Sequence, residues 1–221
     1  MIVSRGRRYI FVHAPKTGGT AMTLALETRA MADDILVGDT PKARRRRHRL
    51  AEVQTAGRLW KHARLADIAG LVTPDEMDAF FVFTLVRNPW DRMVSYYHWL
   101  RAQGFAHPAV ARAQALDFGG FLADPGLAAS VRANPYGAYV RRPDGRETCD
   151  LFLRREHLDD DIAPLAAHLG FRPVLPPGVN RSDRRRDWRP YYGDAEAARV
   201  ADLCAEDIAR FGYRFDDPVP G

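Results

Sequence analysis

The segment Phe80-Phe81-Val82-Phe83-Thr84-Leu85-Val86 leaves the chain few architectures to adopt. It is almost continuously apolar and lacks the alternation of a half-exposed strand. Such a run of aromatic and branched residues reads as a central strand covered on both faces. Covering both faces takes helices above and below, which is the layered α/β arrangement. The run ends at Arg87, and Asn88-Pro89 then provide the cap and first turn of a helix expected from Trp90 to about Arg101.

The N-terminal part repeats the pattern. Tyr9-Ile10-Phe11-Val12-His13 reads as a short buried strand, Ala14 to Thr20 as a turn with two glycines, and Ala21 to Glu27 as a helix. Leu59-Trp60-Lys61-His62-Ala63 is expected to form a second strand. The Thr73-Pro74-Asp75-Glu76 pattern starts a short helix with a capping box. A helix is expected near Phe118–Ala123, a turn at Pro143-Asp144-Gly145 and a strand over Cys149–Leu153. Another helix is expected from Leu158 to Leu169, ended by Gly170, before the proline-rich connection 173–177. An amphipathic helix over 194–211 places Ala197, Val200, Leu203, Cys204, Ile208 and Phe211 on one stripe. Lys42 to Arg49 reads as a solvated basic loop. No repeat or linker is visible, so a single domain over 1–221 is the expectation.

Composition removes several classes. With 46% hydrophobic and 28% charged residues in 221, the chain is neither disordered, collagen-like nor a disulfide miniprotein. Cys149 and Cys204 are in no metal or redox spacing, read as interior fillers, and no metal site is expected. No apolar run approaches the ~20 residues that span a bilayer, and the start does not read as a signal peptide. A cytoplasmic location follows as the expectation, with peripheral membrane contact as an open alternative. The net charge of +5 rests on 30 Arg and only three Lys, at 16, 42 and 61. A basic balance favours anionic partners without choosing among them.

One of those three lysines stands in His13-Ala14-Pro15-Lys16-Thr17-Gly18-Gly19-Thr20. Glycines let the backbone turn tightly and bring N–H groups to an anion, and the following helix adds the positive end of its dipole. Lys supplies a compact charge and Thr hydroxyls supply donors, so every part suits a phosphate. The order differs from the G-x-x-x-x-G-K-[ST] loop, because Lys precedes the glycines. No Walker-B acid ends the strong strand either, which weighs against a magnesium-dependent nucleoside triphosphatase. A second constellation follows that strand: Val86-Arg87-Asn88-Pro89-Trp90-Asp91-Arg92-Met93-Val94-Ser95-Tyr96-Tyr97. Arg87 stands at the carboxyl end of the strand, where open α/β sheets bind ligands. Ser95 lies two helical turns on, and the two side chains suit a second phosphate.

Together these residues resemble the sulfotransferases that use 3′-phosphoadenosine 5′-phosphosulfate (PAPS). PKTGGT is similar to their 5′-phosphosulfate loop, and VRNPWDRMVSYY to their 3′-phosphate motif. The form is closest to the type II, carbohydrate-acting branch and its small bacterial members. RREHLDDDIAPLAAHLGF resembles the family's Arg-x-Glu-x-Leu segment. The stretch from Asn180 to Phe215 resembles its C-terminal segment, with Asn-x-Ser, a Tyr pair and Asp-x-x-x-Phe-Gly-Tyr. The resemblance implies a P-loop-kinase-like three-layer α/β/α fold with a central, mostly parallel sheet. It implies that Lys16 contacts the bridging oxygen, that Thr17, Gly18, Gly19 and Thr20 bind the 5′-phosphate, and that Arg87 and Ser95 hold the 3′-phosphate. It also implies transfer from PAPS, with no metal required, to an acceptor hydroxyl on a carbohydrate or glycolipid.

Transfer further requires a base for the acceptor hydroxyl. Among seven histidines His62 is the choice, as it lies between the two motifs and resembles in position the catalytic His of the heparan 2-O-sulfotransferase group. His13 reads as structural, and His98 as lining the helix after Ser95. The Arg runs at 42–49 and 184–189 suit an acidic acceptor or a solvated face. Three other readings stay open: a P-loop nucleotide-dependent kinase, an Arg-rich nucleic-acid-binding module, and an inactive relative that binds the nucleotide. The sulfotransferase reading carries no specific nucleic-acid partner, and oligomeric state is not readable from the residues.

Overall fold

The computed structural model describes residues 1–179 and 183–219. The Asn180-Arg181-Ser182 of the C-terminal motif lies outside the described residues. In chain order the elements begin with β1 (Ile2–Ser4), β2 (Tyr9–Val12), α1 (Gly19–Glu27), β3 (Ile35–Leu36), α2 (Pro41–Arg46) and α3 (Pro74–Ala79). The middle of the chain forms β4 (Phe81–Val86), α4 (Pro89–Arg101), α5 (Pro108–Ala115), α6 (Phe118–Ala123), α7 (Pro125–Arg132) and α8 (Tyr136–Tyr139). Then come β5 (Leu151–Arg154), α9 (Leu158–Asp161), α10 (Ala163–Leu169), α11 (Asp194–Leu203) and α12 (Ala205–Phe211). They gather into two compact units, one of Met1–Val86 with Tyr136–Val179, the other of 87–135 with the described residues from 183 onward.

The first unit carries the sheet, in the order β3-β1-β2-β4-β5. β2, β4 and β5 run parallel, whereas β1 is antiparallel to both β2 and β3. Four of the five strands therefore point one way, which is the mostly parallel α/β sheet expected. Phe11 pairs with Phe83, and Phe83 with Leu151. One face packs Tyr9, Phe11, Phe83 and Leu153 against Met22 and Leu26 of α1 and Leu165 of α10. Val3, Ile10, Val12, Val82 and Val86 point to the other face and are equally buried. Covering on both faces is what the unbroken apolar runs demanded.

Local chemistry explains the boundaries. Thr73 Oγ1 accepts from the Glu76 amide at 3.1 Å while Glu76 Oε2 accepts from the Thr73 amide at 2.9 Å, closing the expected capping box. Gly170, at φ +72°, stops α10 in the left-handed conformation that favours glycine. The 158–169 helix is two segments, α9 and α10, with Ile162 between them. The amphipathic 194–211 stretch likewise breaks at Cys204 into α11 and α12.

Two expectations are corrected. Leu59–Ala63 is an irregular turn, not a strand; the strands beyond β2 are the short β1 and β3 instead. The basic run 42–49 is not a loop: Thr40 caps α2 by accepting from the Ala43 amide, and a 3-10 turn covers Arg47–Leu50. Arg46 donates to the Met31 and Asp34 carbonyls at 2.8 and 3.1 Å, and the Lys42 ammonium donates to the Glu27 carbonyl. These charges are directed at backbone carbonyls at the end of α1 and in the turn after it.

In the second unit α4 is the central helix. Asn88 Oδ1 accepts from the Trp90 amide at 3.1 Å, as a cap should. Trp90 Nε1 donates to the Ala197 carbonyl at 3.0 Å, and the Tyr192 hydroxyl donates to the Trp90 carbonyl at 2.7 Å. Both bonds hold α4 against α11 and the residues leading into it. Cys204 is buried, and burial pushes its thiol up to about 11.

Candidate active site

The glycine turn joins β2 to α1 as expected, and its backbone is specialised. Lys16 has φ +66° and Gly18 φ +92°, both left-handed. The first holds a residue type that adopts this conformation only at a cost. Alternation of this kind turns successive N–H groups toward one side, the arrangement that cradles an anion. The first-turn amides of α1 add donors with no intrahelical acceptor. The Gly18 carbonyl accepts the first helical bonds, from the Ala21 and Met22 amides at 3.0 and 3.4 Å.

Thr17 is fully buried, and its hydroxyl donates to the Ala14 carbonyl at 2.9 Å. Its hydroxyl proton is therefore used to close the turn rather than offered to a ligand. Gly19 has a steric reason to be glycine. A Cβ there would lie 2.1 Å from His13 Cδ2, so the His13 ring occupies the space. A Cβ on Gly18 would lie 3.4 Å from Cδ and Nε of Arg155. Arg155 was not singled out from the sequence, yet its side chain lies over the turn. The available signal was its place just past the carboxyl end of β5, the end at which parallel sheets collect ligands.

His62 comes to this turn from 49 positions away. Its Nδ1–H donates to the His13 carbonyl at 2.8 Å. The acceptor is a carbonyl, so Nδ1 carries the proton and Nε2 keeps its lone pair. The His13 ring meets it edge-on at 4.6 Å between centroids, and Trp60 flanks it at 5.1 Å. Burial is the main force lowering its pKa, with Lys61, the N-terminal amine and Lys16 adding to it, and the hydrogen bond to His13 opposing; the result is about 4. Burial also holds His13 well below its ordinary value, helped by the neighbouring His62. Both rings are neutral at pH 7.

The residues of the second motif form their own cluster in the second unit. The Arg87 guanidinium meets Asp91 Oδ2 at 2.6 to 2.7 Å, and Arg184 meets Asp91 Oδ1 at 2.5 Å. All three side chains are less than a tenth exposed. Two guanidiniums thus share one carboxylate, and the trio carries a net positive charge. Ser95, also buried, lies one turn beyond Asp91 on the same face of α4. Arg184 is a cluster member that its exposed-looking sequence context concealed. His98 follows on α4, edge-on to Tyr191 at 5.2 Å. Its pKa is lowered by burial and by the charges of Arg184 and Arg101. Asp91, visible in the sequence only as part of the motif, is the carboxylate that joins the two guanidiniums.

No protein-family model matches the chain, and no curated protein matches it. A mouse sulfotransferase, SULT7A1, whose crystal structure is a complex with PAP, is among the similar solved structures. It is 14% identical, with a TM-score of 0.46, over 90% of this chain and 82% of that one. Among the described residues no helix is long and apolar enough to cross a membrane.

Proposed function

We propose that this protein is a sulfotransferase that moves a sulfuryl group from PAPS to an acceptor hydroxyl. The observation that carries the reading is the turn itself: left-handed Lys16 and Gly18 opening α1, with His62 anchored to the carbonyl of His13. The chain's residues fit the donor. The Gly18–Thr20 amides and Lys16 suit its 5′-phosphosulfate. The positively charged Arg87–Asp91–Arg184 group with Ser95 suits its 3′-phosphate.

When bound, PAPS supplies the sulfuryl group and a leaving phosphate. Lys16 and the amides of the turn then stabilise the charge that grows on the phosphate oxygen. His62 Nε2 removes the acceptor proton, its ring held in one tautomer by the His13 carbonyl. A pKa near 4 makes a weak base, but an anion at the turn offsets Lys16 and Lys61 and raises it. Carbohydrates and glycolipids are the acceptor class that the motif resemblance carries, and a single-domain enzyme acting in the cytoplasm or at a membrane face is the accompanying picture.

The test is a thermal-shift titration with 3′-phosphoadenosine 5′-phosphate beside ATP–Mg²⁺. A ligand at a hundredfold excess over Kd adds ~2.7 kcal/mol to native stability. The bisphosphate is expected to raise the midpoint, and Arg87→Ala to remove the shift. A response to ATP–Mg²⁺ alone would replace this reading with a kinase.

A further inference from the structure

The first unit holds a cavity of about 480 Å³, within the size range of small-molecule sites, whose wall includes Trp60 and Lys61, the two residues before His62. Its walls come from β3 and the residues after it, from α2 and its 3-10 extension, and from the 58–61 turn. Leu50 and Leu59 give part of its wall an apolar surface, with the buried Leu36 and Val37 behind it. Trp60 also lines it, 43% exposed, and the same indole touches the His62 ring. Three cations face it, Arg47, Arg58 and Lys61, against the single carboxylate of Asp39. Asp39 takes Lys61 at 3.2 Å and Arg47 at 3.9 Å. Arg58 lies over the Trp60 ring at 5.7 Å, and among the described residues no carboxylate pairs with it.

The walls are fixed in place by the backbone. The Val37 amide donates to the Met1 carbonyl at 3.0 Å, while the Met1 amine donates to the Val37 and Lys61 carbonyls, each at 3.1 Å. The cavity is thus tied to the sheet edge on one side and to the turn that carries His62 on the other.

We infer that this cavity binds the acceptor, and that the acceptor it fits is an organic acid built on an apolar ring system, in place of the carbohydrate that the motif resemblance suggests. The ring system fills the space beside Leu50 and Leu59 and stacks on Trp60, the acid meets Arg58, and the hydroxyl lies at the end where Trp60 touches the His62 ring. A neutral ring compound would leave the excess positive charge unanswered. A sugar acid would leave the apolar lining unused. The assignment of the acceptor role rests on the transfer reading above; the ligand chemistry rests on the cavity alone.

The experiment is calorimetric titration of the full chain, without nucleotide, using three probes: 6-hydroxy-2-naphthoate, 2-naphthol and glucuronate. The naphthoate is expected to bind about tenfold or more tighter than 2-naphthol, the return on one charge-assisted hydrogen bond. Arg58→Gln is expected to erase that difference, and Trp60→Ala to weaken both naphthyl probes. Both residues are exposed, so both variants should keep the wild-type unfolding midpoint. Equal affinity for naphthoate and naphthol, tighter binding of glucuronate, or no binding overturns the inference. Because no nucleotide is present, failure of the bisphosphate shift sinks the transfer reading and leaves this titration to be decided separately.

Discussion

His62 and Lys16 have opposite demands placed on them. In the proposed transfer Lys16 acts as a charge, whereas His62 acts as a base only while it is neutral with Nε2 open. The fold meets the second demand by burying the imidazole and bonding its Nδ1 to the His13 carbonyl. Lys16→Ala should abolish transfer. His62→Ala should lower kcat by about 10²-fold or more, the ordinary worth of a general base, while the Kd for the bisphosphate stays within about twofold. Full turnover in His62→Ala would dismiss it as the base. Titration of the ring by NMR should give a pKa of about 4 without nucleotide, and a higher value when the bisphosphate is present. His62 is singled out in the sequence by its position between the motifs. What the residues could not disclose was the His13 contact, because a bond between positions 49 apart leaves no local signature.

At the scale of elements, the long signals were legible and the short ones were not. The β4 run, the capped helix behind it and the Thr73 box all came through, since each combines several local preferences in one stretch. β1 and β3 are only three and two residues long, too brief for alternation to show. Leu59–Ala63 had strand-like residues but is held by side-chain and terminal contacts instead. For α2, the Thr40-Pro41 pair carried the same cap chemistry as Thr73-Pro74, yet the dense charge behind it masked the signal. The start of α4 is where an element's role is most exposed to test. Asp91 is buried between Arg87 and Arg184, so removing it leaves two buried guanidiniums without their shared carboxylate. Asp91→Ala should cost ~3–5 kcal/mol in urea unfolding. A loss under 1 kcal/mol would mean that the trio is solvated in solution.

For the molecule as a whole, the two buried imidazoles make stability depend on pH. His62 has a folded pKa of about 4 against an ordinary 6.5, and burial holds His13 well below its ordinary value in the same direction. The unfolded chain therefore takes up protons first as pH falls. Their contribution is present in full above about 6.5 and is lost progressively as pH drops toward about 4. The urea midpoint should fall across that window, and His62→Gln should flatten the decline. An unchanged slope in His62→Gln would show that the ring is solvated in the native state.

The scarcity of lysine gives the molecule three built-in reporters. Lys16 stands in the turn before α1, Lys42 donates to the end of the same helix, and Lys61 pairs with Asp39 in the cavity wall. All three lie in the unit that holds the sheet. An amine-acylating reagent followed by peptide mass analysis would thus mark three side chains, each standing for a different part of the working surface. Occupancy of the turn, integrity of α2 and filling of the cavity would appear as separate protections in one spectrum.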